Sequence, residues 1–294
     1  MKVGTEHTYS KLFNLRVNPF GETPDARFYF DSHTHNAALS KVGWAFHQGK
    51  GFTLLTGEVG TGKTLLSRML LTTFEDVANT ALVLFPRLSE KEMLETICQE
   101  FELTPKLPPS STSKQYLDYL NQHLLLCAAA GKRSVLIVDE AQGLTTQGLE
   151  TIRLLSNLET EREKLLQIIL VGQPELRTRL ASPELRQLSQ RICVNVNLEP
   201  LNEEETSRYI RHRLEIAGDG NLVRFAPCAV KYIHQISGGI PRKINKYCEL
   251  IILSAQNQRV RLIERKLARA TLEPTSNSWL SRFGFGSNSE APKL

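Results

Sequence analysis

Gly57-Glu58-Val59-Gly60-Thr61-Gly62-Lys63-Thr64 is the densest cluster of chemically useful residues in the chain. It follows an apolar run and opens a helical pattern. Glycines at these spacings let the backbone turn tightly, so that N–H groups point inward at phosphate oxygens. Lys63 places a point charge where β- and γ-phosphates would lie, and the Thr64 hydroxyl can ligate Mg²⁺. The helix beginning at Lys63 offers the positive end of its dipole to the same anion. The candidate nucleotide-binding residues are therefore Gly57, Glu58, Val59, Gly60, Thr61, Gly62, Lys63, Thr64 and Leu65.

About 75 residues downstream, Val135-Leu136-Ile137-Val138 ends in Asp139-Glu140. Two carboxylates at the C-terminal end of an apolar strand lie where open α/β sheets bind ligands. Asp139 can hold the water shell of Mg²⁺, and Glu140 can orient and deprotonate an attacking water. Having both acids favours ATP hydrolysis over nucleotide storage. Leu170-Val171-Gly172 ends in Gln173, which can touch a γ-phosphate or the attacking water, or be an ordinary turn amide. Arg186 and Arg191 precede the last strand signal. An arginine there, on a subunit edge, can reach a neighbour's phosphate, and Arg191 is the preferred candidate over Arg186. Arg242, in Ser237-Gly238-Gly239-Ile240-Pro241-Arg242, opens a helix and can clamp phosphate with a planar guanidinium.

These residues need a scaffold that brings distant loops to one edge. Five short runs read as strands buried on both faces: 52–56, 81–85, 134–138, 167–171 and 192–198. Helical patterns at 63–74, 90–100, 113–129 and 148–158 lie between them. Alternation of this kind implies a doubly wound α/β domain with a five-stranded parallel sheet, over residues 40–198. After Pro200 the strand signal nearly vanishes, and 202–216, 227–236, 241–257 and 262–272 read as helices of a small domain, 199–272. Residues 1–39 form an aromatic, Pro-rich strap (Phe13, Asn18-Pro19-Phe20, Phe28-Tyr29-Phe30) without helix or strand period. Such a strap can cover an adenine base or pack into a core. The tail, 273–294, is rich in Ser, Asn and Gly and is expected to be disordered. Its Trp279, Phe283 and Phe285 suit either a docking peptide or a loosely packed end.

Composition narrows the class. Of 294 residues, 41% are hydrophobic and 23% charged, which is globular composition. No apolar run approaches the ~18 residues of a membrane-spanning helix. The polar start, 1–10, shows no secretory signal. Cys98, Cys127, Cys193, Cys228 and Cys248 are scattered and odd in number, and read as small buried hydrophobes in a reduced compartment. His33 and His35 lie close together, but no second ligand pair suggests a metal site. The net charge of +5 sits entirely in 199–272, with 13 Lys+Arg against 8 Asp+Glu. That excess can meet nucleic acid, or can be a solvated helical surface with a few phosphate-facing arginines.

The ordered set of motifs resembles the AAA+ ATPases, and its finer pattern the ExeA/general secretion pathway protein A group. The residues that carry this are Asn18-Pro19-Phe20 with Thr23-Pro24-Asp25, Gly57 through Thr64, Asp139-Glu140-Ala141-Gln142, Ile152 through Glu159, Gly172-Gln173-Pro174-Glu175-Leu176, and Gly238-Gly239-Ile240-Pro241-Arg242-Lys243-Ile244-Asn245. The resemblance covers 9–272. It implies that Lys63 and Thr64 match Walker A, Asp139 and Glu140 Walker B, Gln173 sensor 1, Arg191 the arginine finger and Arg242 sensor 2, with 199–272 as the helical lid. It further implies ATP and Mg²⁺, a homo-oligomer assembled as a ring or in an ATP-dependent way, and a cytoplasmic protein, peripheral at the inner membrane, that supports a type IV-like pilus or secretion machine. The chain stops at Leu294 without the membrane span and periplasmic part of secretion-type members, which points to the shorter pilus-type members. Phe85-Pro86 stands where the family tends to have a polar residue that can restrain Glu140. Related transposition ATPases share the core motifs, so a nucleotide-switched DNA-binding ATPase is the alternative. Against it, 199–272 shows no helix with clustered base-reading residues.

Overall fold

The structure, a computed structural model, describes residues 13–21, 25–84, 88–161, 163–218 and 222–273. The chain divides into two compact units. One is Pro24–Pro200, and the other joins Met1–Thr23 to Leu201–Leu294.

In the larger unit the elements run α1 (His33–His47), β1 (Phe52–Gly57), α2 (Lys63–Phe74), β2 (Ala78–Val83), α3 (Glu90–Glu100), α4 (Ser113–Ala129), β3 (Arg133–Val138), α5 (Thr146–Leu155), β4 (Gln167–Gly172), α6 (Pro174–Leu180), α7 (Arg186–Ser189) and β5 (Val194–Leu198). The strands form a parallel sheet in the order β2-β3-β4-β1-β5. Alternate side chains feed two cores, as a pleated strand requires. Leu136, Val138, Ile168 and Leu170 face a cluster containing Leu94, Ile97, Leu120 and Ile152 from α3, α4 and α5. Val135, Ile137, Ile169 and Val171 face Val42, Phe46, Leu66, Leu70 and Phe74 from α1 and α2. Helices on both faces make this the doubly wound α/β fold that the sequence predicts. The order puts β1 beside β4 and β4 beside β3, so the loops after these strands open on one edge of the sheet.

Several local expectations change. α1 was not predicted from its residues, because Thr34, Asn36 and Gly43 are poor helix formers. Its signal is a cap and a face: the Ser32 hydroxyl accepts from the His35 N–H, and His35, Ala38, Val42, Ala45 and Phe46 are buried. β2 begins at Ala78 rather than 81. It is an edge strand, so partly exposed Asn79 is tolerated, and its amide bonds His123 at 2.7 Å. Phe85 and Pro86 lie outside the described residues. α5 starts two residues early because Thr145 caps it, accepting from the Gly148 N–H at 3.0 Å.

The smaller unit contains α8 (Glu203–Ala217), β6 (Arg224–Phe225), α9 (Pro227–Ser237), α10 (Pro241–Asn257), β7 (Leu262–Ile263) and α11 (Arg265–Leu272). α8 opens with a capping box between Asn202 and Glu205. β6 and β7 pair in parallel over two residues each, and β7 takes the first two residues of the helix expected over 262–272. Such short strands leave no readable period.

The strap expected over 1–39 is not one element. Phe13, Leu15 and Phe20 are fully buried in the smaller unit, and Arg16 donates its N–H to the Ala217 carbonyl at 2.7 Å. The Asn18 amide donates to Glu249 at 2.8 Å, and the Phe20 ring stands edge-on to Phe225. Residues from Asp25 onward fold with the larger unit and enter α1 at His33. Of the motif Thr23-Pro24-Asp25, the first two residues lie outside the described set, as does the tail with Trp279, Phe283 and Phe285. The cysteines are all free. Cys98 and Cys248 are buried and Cys127 is partly so, but Cys193 and Cys228 are exposed, against the expectation of buried hydrophobes. Burial pushes the Cys98 thiol up to about 12. Among the described residues no helix is long and apolar enough to cross a membrane, and no group of three His, Cys, Asp or Glu residues could hold a metal.

Candidate nucleotide site

β1 delivers Gly57 to the edge of the sheet, and α2 begins only six residues later. The loop between them is stiffened from inside. Lys63 is buried, and its Nζ donates to the carbonyls of Gly57 at 2.8 Å and Glu58 at 2.9 Å. Thr61, also buried, donates its hydroxyl to the Glu58 carbonyl at 2.9 Å. Gly62 adopts φ +103, a conformation that side-chain-bearing residues rarely take. A Cβ there would meet His35 Nε2 at 2.8 Å. His35 is fixed in turn by Ser32, whose Oγ lies 2.6 Å from its Nδ1. Glu58 and Val59 are exposed on the lip of the loop, and Leu65 is half-buried behind it.

Asp139 follows β3 and is 1% exposed. Its Oδ1 accepts the Glu140 N–H at 2.8 Å, and its backbone N–H donates to the Val83 carbonyl. Burial raises its pKa. The Thr64 hydroxyl, the Glu140 N–H and the charge of Lys63 pull in the other direction, and the charge of Glu140 adds to the rise. Oδ2 has no hydrogen-bond partner although it is buried. A buried carboxylate oxygen left without a partner is costly, and a cation removes that cost. Asp139 and Thr64 are hard oxygen donors, the chemistry Mg²⁺ selects. The residues present therefore fit the metal, and glycine at 62 lets the loop turn at φ +103 against His35.

Glu140 is exposed and held at φ +51. For a non-glycine residue this is a sparsely populated region, of a kind that clusters at active sites. Its Oε2 accepts from the side-chain amide of Gln142, and the Gln173 Nε2 lies 3.5 Å from the same oxygen. Gln173 is the residue before α6, so β4 and β3 bring sensor and base candidates together. Lys63, Thr64, Asp139, Glu140 and Gln173 thus share the edge formed by β1, β3 and β4.

The arginines are placed otherwise. Arg191 precedes β5, whose first residue Val194 pairs with Thr53 near the start of β1. Gly57 lies four residues further along β1, roughly 13 Å at the strand rise, so Arg191 sits at the opposite end of the strands from its own phosphate loop. Its guanidinium donates to the Ser156 hydroxyl at 2.9 Å, and its charge lowers the pKa values of Glu150 and Glu159, both lowered first by their own hydrogen bonds to Arg153 and Lys164. Arg186 is exposed at the start of α7. Arg242 is exposed in the first turn of α10, in the smaller unit. Three residues without an assigned role stand out. Gln142 bridges Glu140 to Gln173, His35 backs Gly62, and Arg177 donates to Thr56, the residue before Gly57, at 2.8 Å.

A family profile described as an AAA domain matches residues 47–180, which contain the phosphate loop, Asp139-Glu140 and Gln173. Among solved structures, the Aeropyrum pernix ORC2 protein, in ADPNP and ADP complexes, superposes with a TM-score of 0.65 at 15% identity, over 90% of this chain and 73% of that one. The fold is that of the AAA+ ATPases. The Thermotoga maritima RuvB Holliday junction branch migration motor shares this AAA+ fold at a TM-score of 0.52 and 18% identity, covering 83% of this chain and 69% of that one. By sequence, the chain is similar to general secretion pathway protein A of Aeromonas hydrophila, with 44% identity over 247 residues. That match takes in 84% of this chain and 45% of the relative, so the chain spans less than half of the relative's length.

Proposed function

We propose that this protein is an ATPase that converts ATP and water to ADP and phosphate with Mg²⁺, and uses the cycle as an oligomeric motor or switch in assembling pilus or secretion machinery. The observation that carries the enzymatic part is the pairing at the end of β3. Asp139 is buried with an unpartnered oxygen, and the adjacent Glu140 is exposed and aimed at Gln173. When bound, Mg²⁺ supplies charge neutralisation on the phosphates, with Thr64 and Asp139 as its holders. Lys63 exchanges the carbonyls of Gly57 and Glu58 for phosphate oxygens. Glu140 accepts the proton of the attacking water, and Gln173 orients the γ-phosphate. Arg191 acts on a neighbouring subunit's nucleotide, a reading supported by its place at the far end of the strands from its own loop. Arg242, exposed in the first turn of α10, acts as the lid-side phosphate clamp.

The machine is inferred from relatedness to general secretion pathway protein A, and the finer motif pattern resembles the MSHA pilus biogenesis ATPase MshM. On this reading the protein works in the cytoplasm, peripheral at the inner membrane, as a homo-oligomer. The test is deletion of the gene, followed by complementation with wild type or Glu140→Gln. Pili or secretion should be lost on deletion and restored by wild type alone. Intact pili and secretion, together with ATP-dependent filaments on duplex DNA at physiological salt, would favour a DNA-binding ATPase instead.

A further inference from the structure

Gln142 closes a ring of hydrogen bonds around the base. Its Nε2 donates to Glu140 Oε2, and its Oε1 accepts the backbone N–H of Gln173 at 3.0 Å. The Gln173 side chain returns to the same Glu140 oxygen, 3.5 Å away. Only one orientation of the Gln142 amide satisfies both partners, because the oxygen must face the N–H and the NH₂ must face the carboxylate. The residue is anchored at its backbone as well, since Arg179 Nη1 donates to the carbonyls of Gln142 and Leu144. β4 is shaped to admit the amide. A Cβ at Gly172 would sit 2.7 Å from Leu176 Cδ2 and 2.9 Å from Gln142 Oε1, so a side chain there would press on both.

We propose that Gln142 is the positioning residue that makes the direction of the Glu140 carboxylate follow the position of Gln173. This rests on the reading of Glu140 as the base for hydrolysis. Glu140 is exposed and would otherwise sample several rotamers, each costing alignment with a water. An amide donates at one end and accepts at the other. It therefore passes a displacement of the Gln173 backbone on to Glu140, in a way neither a carboxylate nor a thioether can. When Gln173 shifts toward a phosphate, the Gln142 oxygen follows its N–H, and the NH₂ end re-aims Oε2. Turnover is thereby tied to occupancy of the sensor rather than to binding alone.

The test uses the full chain with three variants, measuring kcat and KM for ATP, equilibrium ATP binding, and thermal unfolding. Gln142→Glu keeps an acceptor for the Gln173 N–H but loses the donor and sets a like charge beside Glu140. Gln142→Met keeps the length and loses both functions. Gly172→Ala presses on the amide, and on the buried Leu176, without replacing any reacting group. Each should lower kcat toward the ~10²-fold loss expected for a misplaced reacting group, while ATP affinity and KM stay unchanged. In kcat, Gly172→Ala should cost less on top of Gln142→Met than on its own, because the amide it presses on is already gone, while its contact with Leu176 remains and is read in the thermal unfolding. If one variant fails to fold, the other two still decide the matter. Glu140→Gln is run alongside. A dead Glu140→Gln with wild-type kcat in the Gln142 and Gly172 variants overturns the proposal alone, as does a loss of ATP affinity in step with kcat. A fully active Glu140→Gln overturns the hydrolysis reading beneath it.

Discussion

The edge of the sheet in the larger unit and the interior of the smaller unit both depend on buried polar side chains, but they use them in opposite ways. In the smaller unit the polar network is closed. Arg213 donates to the Pro19 carbonyl and, at 2.8 Å, to the Tyr209 hydroxyl, which donates to Asn245 at 2.9 Å. At the sheet edge the network is left open: Asp139 Oδ2 is buried with no hydrogen-bond partner, beside Lys63, whose Nζ donates to the Gly57 and Glu58 carbonyls of the loop. A closed network fixes a structure, whereas an open one waits for a ligand to complete it. The difference separates residues kept for architecture from residues kept for chemistry, even where burial is the same.

The largest effect that would sharpen this contrast lies with Arg191. Arg191→Ala should lower turnover by ~10³–10⁵-fold, the range for a lost arginine finger. Mixing it with Glu140→Gln, itself nearly inactive, should restore part of the activity, since one subunit keeps the base and the other the arginine. A mixture that co-assembles yet stays dead would make Arg191 structural, through its bond to Ser156, and turn attention to Arg186. Next in size, Lys63→Ala should remove tight ATP binding while leaving the unfolding temperature near that of wild type. A protein that binds ATP as before would break the claim that the open network serves the nucleotide.

In the smaller unit, by contrast, a change in the core beside the closed network should act on stability. Phe20 is fully buried against Phe225, so Phe20→Ala should destabilise the smaller unit by about 3–5 kcal/mol in denaturant titrations, the usual cost for a core phenylalanine. Little change would show that the N-terminal segment is not part of that core. The smallest effect belongs to a helix cap. Ser32→Ala removes the acceptor for the His35 N–H and should cost roughly 1 kcal/mol, with ATP affinity falling only if His35 also ceases to back Gly62.

The two regions also differed in how far the residues alone revealed them. Phosphate chemistry demands glycine, lysine and threonine at fixed spacing, and the carboxylates must sit at a strand end, so Gly57–Thr64 and Asp139-Glu140 could be read directly. The sheet was legible because strands buried on both faces are continuous apolar runs. The contribution of Phe13, Leu15 and Phe20 to the smaller unit was not, because Arg16, Asn18 and Glu249 are ordinary polar residues whose partners lie more than 200 positions apart in the chain. Gln142 was visible as a letter of a motif, but its role depends on the register of β3 against β4, which no local pattern encodes. The pair β6 and β7 is two residues long on each side and gives no period to find.

The central claim is that Glu140 performs the chemistry at a site that Lys63 and Asp139 assemble. Steady-state hydrolysis and equilibrium ATP binding, measured side by side on Glu140→Gln, test it most directly. The account predicts wild-type affinity with turnover reduced by ~10²–10⁴-fold, the usual loss of a general base. Affinity and turnover falling together, or turnover unchanged, would contradict it.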